Sequence, residues 1–136
     1  MRGERLTRDA TGKSFPTDRA GVYVIRAVNE PYWKIGTSAD MGDRIHAIDT
    51  SGPFPVEIVF CIYVDSRERY SIEVDLHRAL RAWRTSGEWF RIPDEELPAA
   101  ISRMEGALEK MPIGRGPLFW LIDHTWDFYE SAERVQ

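Results

Sequence analysis

Tyr23, Lys34, Arg44, Glu73 and His77 are residue types that can move a proton, grip an anion or hold a cation. Tyr23 lies in Gly21-Val22-Tyr23-Val24-Ile25-Arg26-Ala27, and Lys34 lies in Tyr32-Trp33-Lys34-Ile35-Gly36. Both segments are rich in β-branched and aromatic residues and read as strands. Asn29-Glu30-Pro31 between them is a turn signal, so the two strands form a hairpin. In such a hairpin the loop length fixes which residues share a face. An even-length loop near 28–31 requires position numbers on one face to add to an odd value, and 23 and 34 do. Tyr23 and Lys34 are therefore expected side by side. A nearby ammonium favours the phenolate and lowers a tyrosine pKa from its usual value of about 10. Tyr23 is then a usable base.

The remaining candidates fall on helix flanks. Thr37 or Ser38 can cap a helix running to about Asp49, with Met41, Ile45 and Ile48 as its apolar stripe. Arg44 lies at the edge of that stripe. Val56 to Val64 is a nearly continuous apolar run and reads as a buried central strand. Asp65 and Glu68 resemble a capping box for the next helix, whose stripe is Ile72, Leu76, Leu80 and Trp83. Glu73 sits at the edge of this stripe, and His77, four residues on, shares its flank. Arg84 follows on the same side. Edge positions of helices packed on one sheet can converge on a common groove.

Glu88 to Ile92 reads as a short strand or extended segment, and Pro93-Asp94 opens a helix carrying Leu97, Ile101, Met104, Leu108 and Met111. Residues 112–117 form a linker. A last helix over about 117–133 holds Phe119, Trp120, Trp126, Phe128 and Tyr129. The expected class is α/β: a small, three-stranded, mostly antiparallel sheet flanked by helices in the order β-β-α-β-α, with a C-terminal helical extension. The chain divides into a basic arm (1–17), a core (18–95) and the extension (96–136).

Composition bounds the function. The 136 residues carry 18 Lys plus Arg and 22 Asp plus Glu, a formal charge of −4. A protein that coats nucleic acid non-specifically is normally basic, because Lys and Arg drive phosphate binding. This balance argues against a coat but allows a local basic site. No apolar run reaches the roughly 18–20 residues that span a bilayer, and the polar N-terminus has no signal-peptide apolar region. The single cysteine, Cys61, lies in an apolar run and forms no internal disulfide. A cytoplasmic location without membrane attachment is expected.

In motif order the sequence resembles the GIY-YIG nuclease superfamily. Gly21-Val22-Tyr23 matches the first motif and Lys34-Ile35-Gly36 the second, with Arg44 in the first helix and Glu73 in the helix after the third strand. Glu73-x-x-x-His77 and Gly87-Glu88-Trp89-Phe90 are closer to a phage-associated branch labelled meiotically-upregulated-protein-like. Lys34 stands where the name-giving second Tyr would be. The Asn that many members place after the metal helix has no clear match, and Glu88 is the nearest polar residue.

The resemblance implies hydrolysis of DNA phosphodiesters, with DNA preferred to RNA as partner, and Mg²⁺ or Mn²⁺ as cofactor. It implies that Glu73 holds the metal and Tyr23 takes a proton from water. Arg44 would grip phosphate oxygens, and Lys34 would keep Tyr23 or a bound water in its reactive protonation state. His77 would act close to the substrate, and Gly36, Thr37, Arg81 and Arg84 would contact it. The alternative is a catalytically inactive nucleic-acid-binding or protein-interaction module on the same fold. The aromatic last helix suggests a homodimer.

Overall fold

A computed structural model describes residues 19–64 and 67–110. The basic arm, Asp65 of the expected capping box, Met111, the 112–117 linker and the aromatic last helix with its dimer expectation lie outside the described residues. The predicted hairpin forms: β1 (Gly21–Ala27) pairs antiparallel with β2 (Tyr32–Ser38). Its turn uses Asn29 at φ 62°, a left-handed conformation that Asn tolerates better than most residues. The pairing sets Tyr23 opposite Gly36 and Ile25 opposite Lys34. The opposed numbers add to an odd value, so Tyr23 and Lys34 share a face as diagonal neighbours.

β2 runs further than its sequence suggested. Ser38 still belongs to the strand, and α1 spans Met41–Ser51. Asp40 is the cap, with Oδ1 accepting from the Asp43 N–H at 2.9 Å. Met41, Ile45 and Ile48 are buried as expected.

β3 (Val56–Tyr63) pairs with β1. The sheet order is β3-β1-β2-β4, so β3 is an edge strand, not the central one expected. Its apolar run has another cause: both of its faces are covered. A register shift opposite Val24 and Ile25 leaves Val59 as an extra residue. Val59 and Phe60 consequently enter the same cluster, while Ile58 and Cys61 enter the other.

α2 spans Glu68–Ala79, followed by a 3-10 turn over Arg81–Trp83. β4 (Trp89–Arg91) pairs antiparallel with Tyr32–Lys34 of β2. The sheet thus has four strands, not three, and it is wholly antiparallel. Gly87, at φ 59°, turns the chain into β4. α3 covers Leu97–Glu109.

The sheet separates two cores. α1 packs on the face that carries Tyr23, Ile25, Ile58 and Cys61. α2 and α3 pack on the face of Val22, Val24, Ile35 and Phe60, where Leu97, Ile101, Met104 and Leu108 of α3 join the same cluster. Each large side chain removed from water in these layers stabilises the fold by roughly 1.5–3 kcal/mol. No helix among the described residues is long and apolar enough to cross a membrane.

Candidate active site

β4 is short, and β2 outruns it. The Ile92 N–H donates to the Pro31 carbonyl at 2.8 Å, so odd-numbered residues of β2 direct their backbone groups toward β4. Pairing stops at Lys34–Trp89. Beyond it the Ile35 carbonyl and the Thr37 N–H face an open edge, and buried backbone groups demand partners. α2 supplies them. His77 Nε2 donates to the Ile35 oxygen at 2.8 Å, and the Glu73 carboxylate accepts from the Thr37 N–H. Four helical residues rise about 6 Å and two strand residues about 6.8 Å, so a Glu-x-x-x-His pair spans alternate positions of a strand. Since a carbonyl can only accept, Nε2 of His77 carries a proton. The ring also meets Phe90 edge-on, with centroids 5.1 Å apart.

Tyr23 reaches the same edge from the other face. It stands opposite Gly36, and a Cβ on Gly36 would collide with its phenol oxygen and ring carbons. Glycine at 36 therefore lets the phenol cross β2. Arg44 of α1 donates a side-chain hydrogen bond to the hydroxyl. The Tyr23 pKa is pushed up to about 12, first by burial. The Arg44 hydrogen bond and charge oppose this rise, while the Glu88 and Glu73 charges add to it. The sequence led us to expect the opposite shift, from Lys34. Burial dominates instead, and the Lys34 ammonium is paired with Glu88.

Lys34 is 8% exposed. Its Nζ lies 2.9 Å from Glu88 Oε2 and 5.3 Å from the Trp89 ring centroid. Glu88 is held in a tight turn in which the Thr85 N–H donates to the Trp89 carbonyl at 3.0 Å. Sequence reasoning left Glu88 without a role. Its signal was the Gly87-Glu88-Trp89-Phe90 segment itself, where a left-handed glycine precedes a short edge strand.

Glu73 is half-buried and its pKa is raised, first by burial and then by Glu88. His77, Lys34 and the Thr37 N–H pull it back. Among the described residues no group of three or more His, Cys, Asp or Glu is arranged to hold a metal. The donors at this edge are carboxylate and phenol oxygens, with Glu88 engaged by Lys34. Such a set suits one hard divalent cation that keeps most of its waters, bound through Glu73. A cation there would also relieve the repulsion between Glu73 and Glu88.

Six of the candidate residues line two clefts, one on each side of the β2 edge, while Tyr23 is 1% exposed and lines neither. Lys34, Arg44 and Trp89 line one of about 280 Å³. Glu73, His77, Arg81 and Arg84 line another of about 440 Å³. Arg81 and Arg84 are exposed, and Arg84 Nε donates to the Gly87 carbonyl at 3.1 Å. Gly36 is buried beneath Tyr23, and Thr37 is half-exposed with its N–H on Glu73.

A four-stranded antiparallel sheet with helices on both faces, and a Tyr–Arg–Glu constellation wrapped around one strand edge, defines a small α/β domain with a cleft on either side of its sheet edge. The T5orf172 domain family model matches residues 20–105, and the chain belongs to that family, a domain found in phage-associated proteins. No curated protein and no solved structure matches the sequence.

Proposed function

We propose that this chain is a metal-dependent endonuclease of GIY-YIG type that hydrolyses phosphodiester bonds in DNA. The observation that carries the reading is the Tyr23 hydroxyl, hydrogen-bonded by Arg44 and within the field of Glu73 although the two helices lie on opposite faces of the sheet. The order of motifs along the chain supports it, as does membership of a phage-associated family often linked to nuclease-like folds.

The chain's own groups divide the work. Tyr23 takes a proton from the attacking water. An arginine can only donate, so Arg44 occupies a lone pair of the phenol oxygen and favours its phenolate. The other donors of that planar fork suit phosphate oxygens. Lys34 neutralises Glu88, whose charge opposes ionisation of Tyr23. His77 keeps its proton on the Ile35 carbonyl and so orients α2; it is a positioning residue. Glu73 would hold Mg²⁺ or Mn²⁺, which when bound supplies positive charge to the phosphate and the leaving oxygen.

A second reading has its own support. Burial holds Tyr23 at about 12 and raises Glu73, and both shifts oppose the charged forms that the chemistry uses. A nucleic-acid-binding module without turnover would carry the same arrangement. Incubation with supercoiled, linear and branched DNA in Mg²⁺ and Mn²⁺ separates the two. The nuclease reading expects nicks or cuts that vanish with Tyr23→Phe and Glu73→Gln. DNA left intact by a folded wild type in both ions favours the module.

A further inference from the structure

We infer that the groove between α2 and α3 is a second seat for nucleic-acid backbone, with Arg78, Arg81, Arg103 and Lys110 holding its phosphates. The inference rests on the nucleic-acid reading above and adds a surface beyond the proposed active site. The groove measures about 510 Å³. Four basic residues line it against one acid, Asp75, which lies 3.7 Å from Arg78. In a chain of net charge −4 that is a local reversal of sign. At about 100° per residue, Glu105 of α3 turns away from the face that carries Arg103, Gly106 and Lys110, while Glu109 lies on the flank of that face, about 60° from Gly106. Arg78 and Arg81 also line the cleft that holds Glu73 and His77. One basic track therefore leads from the proposed reaction centre over the α2 ridge into the groove.

The floor of the groove gives a second, independent observation. Gly106 sits inside α3, where glycine is the poorest helix former after proline. A Cβ there would meet nothing within 4 Å, so internal packing does not require the glycine. It keeps the floor low, which suits close approach by a ligand backbone. At the rim, the Arg103 guanidinium lies 5.5 Å from the Trp83 ring centroid, which restrains the fork that would meet a phosphate.

Fluorescence anisotropy of the full chain with a short labelled DNA duplex, without divalent ions, tests the groove. Arg103→Glu combined with Lys110→Glu should weaken binding at least roughly tenfold. The salt dependence should become shallower by about two, near 0.9 for each phosphate no longer neutralised. Gly106→Gln keeps every charge and extends into open space. It should also weaken binding, with an unchanged or higher thermal midpoint. A wild type that does not bind DNA overturns the inference, as do variants with wild-type affinity and salt slope. So does a Gly106→Gln protein that binds normally while the charge reversal does not, because long-range charge alone then accounts for the loss. The readout does not depend on cleavage. Groove-dependent binding by a wild type that never cuts sinks the catalytic reading alone. Groove-independent binding by one that cuts sinks the groove alone.

Discussion

The Tyr23 phenol crosses β2 over the α-carbon of Gly36, its partner in the antiparallel register. The close approach leaves no room for a methyl group. Gly36→Ala should displace the ring and cost about 1–3 kcal/mol, the usual range for overpacking. If Tyr23 is the base, cleavage should fall on the order of 100-fold, since a misplacement of about 1 Å can cost that much. Urea unfolding and plasmid nicking measure the two effects; an alanine variant with full activity would remove Tyr23 from the mechanism.

Glu73 is expected to matter for the cation and little for the fold. Glu73→Gln keeps an oxygen for the Thr37 N–H, so its thermal midpoint should stay near that of the wild type. Added Mn²⁺ should raise the wild-type midpoint, because a ligand that binds only the native state stabilises it by mass action, by about 2.7 kcal/mol at 100 times its Kd. The glutamine variant should lose that shift, and chelation with EDTA should abolish it in the wild type. Equal Mn²⁺ shifts in both proteins would place the ion elsewhere.

His77 gives the complementary case. Removing its donor leaves the Ile35 carbonyl unpaired and strips an edge-on neighbour from Phe90. His77→Ala should destabilise by about 1–3 kcal/mol. A denaturant midpoint equal to the wild type's would show that water replaces the histidine without penalty.

Lys34 and Glu88 should prove coupled. Lys34 is nearly buried, so Glu88→Gln leaves an ammonium with little water around it. Glu88 is more exposed, with 40% of its side chain accessible, which screens the pair and holds the coupling to the order of 1 kcal/mol. A double-mutant cycle with Lys34→Met and Glu88→Gln measures it. Additive losses would mean that the ion pair contributes nothing to stability.

Alkaline pH should report on Tyr23. Its folded pKa of about 12 lies above the ordinary value of 10.0. Its contribution to stability is therefore complete below pH 10 and is lost as the pH rises toward 12. At pH 11 the loss from this group is about 1.4 kcal/mol by linkage. Urea titrations from neutral to alkaline pH should find Tyr23→Phe less sensitive than the wild type between pH 10 and 12. Parallel curves would contradict the burial of the phenol.

Local pattern alone determined much of this protein. The β-branched segments and the Asn29 turn define the hairpin, and the parity of its loop puts Tyr23 and Lys34 on one face. The apolar spacing of Met41, Ile45 and Ile48, and of Ile72 and Leu76, marks the buried sides of α1 and α2. These features rest on periodicity, which a single chain carries openly. The sequence could not place β3 at the sheet edge, because apolar residues on both faces report burial and not strand order. Nor could it foresee that Lys34 would be matched by Glu88. That pairing depends on β4 stopping at Trp89, a tertiary fact. The same early stop leaves the outward Ile35 carbonyl and Thr37 N–H without a β4 partner, and α2, packed on the sheet through Ile72 and Leu76, supplies His77 and Glu73 to them.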